Sequence, residues 1–143
     1  MNPWTAILQS VHSALIDELT DRHPEPKPEL GMPLRENHYR VPDPSLTSVL
    51  ACGIEISGQR GVLFLAGEPG FAKKLGLAPT ELFQAVLKRA GGEFMHRGIR
   101  PVFSAPVTVL GSSPLPGDLP VPGRVVWIPF KIPAGTCFLG LGA

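Results

Sequence analysis

The chain has 143 residues, 43% of them hydrophobic and 17% charged, with a formal net charge of +1. It is long enough for one domain with a real core, too apolar to be disordered, and carries neither a basic stripe for nucleic acid nor an acidic tail. No apolar run reaches the roughly 18 residues of a membrane span and no signal peptide opens the chain, so a soluble, reducing, cytoplasmic setting is expected.

In chain order, Asn2-Pro3 supplies a capping residue and a proline at the first helical position. Trp4, Ile7, Leu8, Val11, Leu15 and Leu19 then recur at helical spacing, which predicts a helix with one packed face. His12 lies beside that stripe and reads as structural.

The chain's 17 prolines come in clusters. Pro24, Pro26, Pro28, Pro33, Pro42 and Pro44 predict an extended connector at about 22–45, with a proline-rich ligand for an aromatic groove as the alternative. Leu46–Ile56 and Val62–Ala66 are β-branched and apolar runs separated by Ser57-Gly58-Gln59-Arg60-Gly61, a hairpin signal.

A short helix over about Gly70–Leu75 is stopped by Gly76, and a longer one starts at Pro79, weakening at Gly91-Gly92 or continuing with a kink through His96. Pro101–Leu110, Arg124–Phe130 and Cys137–Leu141 read as three strands of an antiparallel meander, with Pro114, Pro116, Pro120 and Pro122 in a long hairpin loop. The order predicts an α+β domain: an antiparallel β-sheet with helices packed on it. Val62–Ala66 and Cys137–Leu141 are expected as edge strands through which a homodimer would pair.

Most familiar chemistry is missing. His12, His23, His38 and His96 lie far apart with no cysteine partners, so no metal site is expected, and Cys52 and Cys137 read as buried free thiols. No glycine-rich phosphate loop and no serine nucleophile elbow occurs. Glu36-Asn37-His38 falls in the connector and reads as loop solvation.

What remains is the helix from Pro79. At about 100° per residue, Leu82, Phe83, Val86, Leu87 and Ala90 share one arc, and Glu81, Gln84 and Lys88 share the opposite one. A carboxylate, an amide and an ammonium then face water together. Such a face can dock another protein, position a water beside a phosphoryl group, or simply be solvated.

The order of these features resembles the CheX-like group of chemotaxis phosphatases, related to CheC and to the phosphatase part of the flagellar switch. The opening Asn2-Pro3-Trp4 helix, Gly53–Leu65 leading into Phe71-Ala72, Glu81-Leu82-Phe83-Gln84, and Ala105–Gly111 are similar to that family's segments in order and spacing. The third is similar to the family's Glu-x-x-Asn motif, and Pro106 to the proline of its downstream strand.

The resemblance implies a single CheX-like domain over 1–143 that dephosphorylates a phosphorylated CheY-type receiver. Glu81 would dock the receiver, Gln84 would orient the attacking water, and Lys88 and Pro106 would lie on the partner side. It further implies no cofactor of the chain's own, the divalent metal belonging to the receiver; charge and hydropathy predict no nucleic-acid or membrane partner. Two positions depart from the pattern: Gln84 stands where the family has Asn, and Leu77 where Asp or Ser often stands. A catalytically inactive interaction or dimerisation module on the same fold is therefore the alternative.

Overall fold

The structure, a computed structural model, describes residues 3–22, 29–46, 48–111, 114–133 and 135–143. Its frame is two hairpins. β3 (Ser48–Ile56) and β4 (Gln59–Gly67) meet at the two-residue turn Ser57-Gly58, with Ile56 paired to Gln59. Both turn residues have positive φ, 51° and 78°, the conformation whose twist matches the flanking strands. β7 (Val125–Ile132) and β8 (Gly135–Gly142) form the second hairpin, and β8 lies along β4 with Leu63 opposite Leu141.

The central order is thus β7-β8-β4-β3, antiparallel throughout. Short strands close each side: β1 (Glu29–Leu30) and β2 (Leu34–Glu36) pair with β7, while β5 (Val102–Phe103) and β6 (Val107–Leu110) pair with β3. The α+β reading holds, with three corrections.

Val62–Ala66 and Cys137–Leu141 are not edges. They lie in β4 and β8, the two central strands, each paired on both sides. Their unbroken apolar character reflects burial on both faces, which alternation alone does not signal.

The loop holding Pro114, Pro116, Pro120 and Pro122 is not a hairpin loop. It leaves β6 beside β3 and reaches β7 beyond β8, so it crosses one face of the sheet. Leu115 and Leu119 pack there against a cluster that includes Val62, Phe64 and Trp127.

The described part of the proline-rich stretch is more than a connector: it supplies β1, β2 and a cover over the same face. Tyr39 stacks on Phe64 at 5.0 Å and donates its hydroxyl to the Gly111 carbonyl (3.0 Å), and the Trp127 indole N–H donates to the Arg40 carbonyl (3.2 Å). Gly140 leaves room for that indole, because a Cβ there would stand 2.7 Å from Trp127 Cε3. Pro24, Pro26, Pro28 and the Asn2 cap lie outside the described residues.

The opposite face carries the helices. α1 (Pro3–Arg22) and α3 (Pro79–His96) lay Ile7, Val11, Leu15, Leu82, Phe83 and Phe94 into one core with Leu50, Leu63, Phe130 and Leu139 of the sheet. α2 (Phe71–Lys74) is a single turn ended by Gly76, whose φ is +84°. α3 continues through Gly91 and Gly92 to His96.

Candidate functional site

The site is assembled on α3, so the way that helix is held determines what it presents. Ala78 is extended (φ −73°, ψ 150°) and offers no side-chain cap, and Pro79 opens the helix with its φ already set. Leu82, Phe83, Val86, Ala90 and Phe94 are buried and Leu87 is half-buried, so the apolar arc faces the sheet and extends one turn beyond the expected residues.

Ion pairs to α1 add to this packing. Arg89 Nη2 reaches Asp21 Oδ2 at 2.6 Å and Glu18 Oε2 at 2.9 Å, and Arg22 meets the other Glu18 oxygen at 3.3 Å. At the far end Arg97 donates to Gln9 at 3.4 Å, so α1 and α3 run antiparallel. Glu18 is only 8% exposed, a buried carboxylate that requires these partners.

With α3 so clamped, Glu81, Gln84 and Lys88 all face solvent. Gln84 follows Glu81 by three residues, about 4.5 Å along the axis, and Lys88 follows by one turn more. None of the three side chains forms a hydrogen bond or ion pair with another described residue. A carboxamide in that position can donate to one oxygen and accept from a water at the same time. Pro106 is half-buried between β5 and β6, where it divides one expected strand into two, and no hydrogen bond joins it to α3 among the described residues.

Other groups the sequence offers for chemistry are placed elsewhere. Cys52 is buried, its thiol donates to the Ser104 carbonyl at 2.9 Å, and burial pushes its pKa up to about 11. Burial raises that of Cys137 to about 12, so neither thiol is poised as a thiolate nucleophile. Both are free. His12 is half-buried with its ring 5.3 Å from that of Phe130, and His38 and His96 are exposed and apart from it. Among the described residues no three His, Cys, Asp or Glu side chains could hold a metal ion, and no helix is long and apolar enough to cross a membrane.

Sequence reasoning missed the Arg89 clamp. The signal was present, since the last turn of α1 carries Glu18 and Asp21 and α3 carries Arg89 beside the polar arc. Pairing across 68 residues, however, depends on knowing that the two helices are neighbours.

An eight-stranded antiparallel sheet bearing a long N-terminal helix and this α3 defines the CheC/CheX-like fold, and solved structures of that class superpose over nearly the whole chain. A CheC-like superfamily protein from Shewanella sp. PV-4 matches with a TM-score of 0.70 at 17% identity, covering 99% of this chain and 98% of its own. The chemotaxis protein CheX from Desulfovibrio desulfuricans matches at 0.67 and 16% identity, covering 94% and 97%. The CheX–CheY–BeF3–Mg2+ complex from Borrelia burgdorferi matches at 0.57 and 12% identity, covering 94% and 96%. At these identities the likeness is one of fold. No family model and no curated protein matches the sequence.

Proposed function

We propose that this chain works in chemotaxis-type signalling by engaging a CheY-type receiver through the exposed face of α3 and hastening hydrolysis of its aspartyl phosphate. The observation that carries this reading is Glu81 and Gln84 one turn apart on that face, neither hydrogen-bonded nor ion-paired among the described residues, on a fold shared with a CheX captured in complex with CheY.

In this reading the Glu81 carboxylate docks on the receiver while the Gln84 carboxamide enters the receiver site and holds a water in line with phosphorus. Water oxygen bonds to phosphorus as the bond to the aspartyl oxygen breaks, releasing phosphate and restoring the carboxylate. The divalent metal is the receiver's own. The Lys88 ammonium lies one turn on, facing the receiver's acidic site, and Pro106 borders the docking area. The work asked of Gln84 is positioning, and a hundredfold acceleration corresponds to about 2.7 kcal/mol.

The deciding experiment follows decay of a phosphorylated CheY-type receiver with and without the protein. The expected outcome is faster decay that Gln84→Ala abolishes. A second reading, a non-catalytic receiver-binding module, is favoured by Gln84 itself: its extra methylene moves the amide by roughly an ångström, enough to cost ~10²-fold in rate. Binding without faster decay would select it. We also propose that the chain forms a homodimer.

A further inference from the structure

Between the start of α3 and the sheet the structure opens a cleft of about 850 Å3. Its floor includes Leu50, Leu65, Phe71, Leu82 and Cys137, none more than 7% exposed. Its rim is polar, with the hydroxyls of Ser48, Thr80 and Thr108 and the charges of Lys73 and Glu68. Protein interiors seldom leave voids larger than a water, whereas ligand sites of roughly 300–1,000 Å3 combine apolar walls with a few placed polar groups. In size and lining this cleft belongs with the second kind.

The rim carries one acidic residue, Glu68, and one basic residue, Lys73. Glu68 is turned toward β8, with Oε2 2.8 Å from where a Cβ of Gly135 would stand. On the helix side, Pro79 has no N–H and Ala78 gives no side-chain cap, so the first-turn N–H groups of Thr80 and Glu81 lack an intrahelical acceptor. Lys73 also lines the cleft. An anionic end is favoured beside these donors, and an apolar body over the leucines.

We propose that this cleft binds a small amphipathic anion, with its aliphatic or aromatic body on Leu50, Leu65 and Leu82 and its carboxylate or similar group at Thr80 and Lys73. The site is separate from the outward face of Glu81 and Gln84 and does not rest on the phosphatase reading. Thr80 and Leu82 nonetheless flank Glu81 in the chain, so an occupant touches the turn that presents it.

The probe is 4-phenylbutyrate, followed by methyl NMR of the intact chain. Saturable shifts of the Leu50, Leu65 and Leu82 methyls are expected, with a dissociation constant below about 1 mM and 4-phenylbutylamine at least about tenfold weaker. Thr108→Trp, which fills the mouth, should abolish the shifts. Lys73→Gln, an exposed change on α2 that leaves folding intact, should weaken binding about threefold or more. Absence of saturable shifts at about 10 mM would overturn the proposal, as would equal binding of the amine, or affinity unchanged in Lys73→Gln and in a folded Thr108→Trp.

Discussion

The guanidinium of Arg89 lies 2.9 Å from the carboxylate of Glu18, a pair that ties α3 to α1 beside the buried arc that leaves Glu81 and Gln84 outside. Glu18 is nearly buried while Arg89 keeps about a third of its side chain exposed (10% and 37%), so the two partners are not equivalent. Removing Arg89 leaves a desolvated carboxylate with only Arg22 at 3.3 Å.

Arg89→Ala should therefore destabilise the protein by about 1–2 kcal/mol, less than a fully buried pair would lose because solvent screens the arginine. Thermal melts should show Tm lower by about 3–6 °C, with part of the loss recovered in Arg89→Lys. An unchanged Tm would mean that the helices are held by apolar contact alone.

At the α3 face, Gln84→Asn tests the methylene argument directly. If the longer amide works in its present position, shortening it lowers the rate of receiver dephosphorylation. If Gln84 is misplaced, Gln84→Asn raises the rate by up to ~10²-fold. Glu81→Ala should weaken receiver binding while leaving the melting curve unchanged, since both side chains are exposed and form no hydrogen bond or ion pair among the described residues. Calorimetric titration with the receiver separates docking from turnover.

The glycines of the chain divide by what surrounds them. Gly140 sits under the Trp127 ring, so Gly140→Ala should cost about 1–3 kcal/mol by overpacking. Gly91 and Gly92 lie inside α3 with nothing within 4 Å of an added Cβ. Replacing either by Ala should stabilise the protein by about 0.5–1 kcal/mol, the ordinary helix preference. Urea midpoints of the three variants should thus move in opposite directions. Equal shifts of one sign would contradict this account of the two environments.

His12 makes stability depend on pH. Partial burial lowers its pKa below the ordinary 6.5, so between the two values the unfolded chain binds more proton than the folded one. Stability therefore rises with pH in that window: the contribution is fully present above 6.5 and is lost as pH falls through the folded value. The urea midpoint should be lower at about pH 5 than at about pH 7.5, and His12→Gln should flatten that part of the profile.

These residues also mark what the sequence could and could not reveal. Local signals carried far: Ser57-Gly58-Gln59-Arg60-Gly61 announced a hairpin, though the turn itself is only Ser57-Gly58, Pro79 a helix start, and the spacing of Leu82, Phe83, Val86 and Ala90 the buried arc of α3 that leaves Glu81 and Gln84 outside. Each depends on residues within a turn or two. What failed was neighbour assignment. Val62–Ala66 and Cys137–Leu141 have the composition of either an exposed apolar edge or a central strand, and only the pairing of β4 with β8, some 75 residues apart in sequence, decides between them. The crossing loop at Pro114–Pro122 was misread for the same reason: proline marks where a strand stops, not where the chain goes next.

The correction to the edges changes where a homodimer would form. With β4 and β8 paired on both sides, the edges of the sheet among the described residues are β1/β2 and β5/β6. Pro33 breaks the first edge and Pro106 the second, so neither offers a long ladder of backbone donors to another copy. The β1/β2 edge does expose three large apolar side chains within five residues, Leu30 at 51%, Met32 at 84% and Leu34 at 39%. A dimer should therefore be held by side-chain burial at that edge more than by strand addition. Light scattering at tens of micromolar should give twice the chain mass, and Met32→Lys with Leu34→Lys should give the monomer with an unchanged circular dichroism spectrum. A native protein that already runs as a monomer, or a double variant that stays dimeric, would remove the β1/β2 edge from consideration.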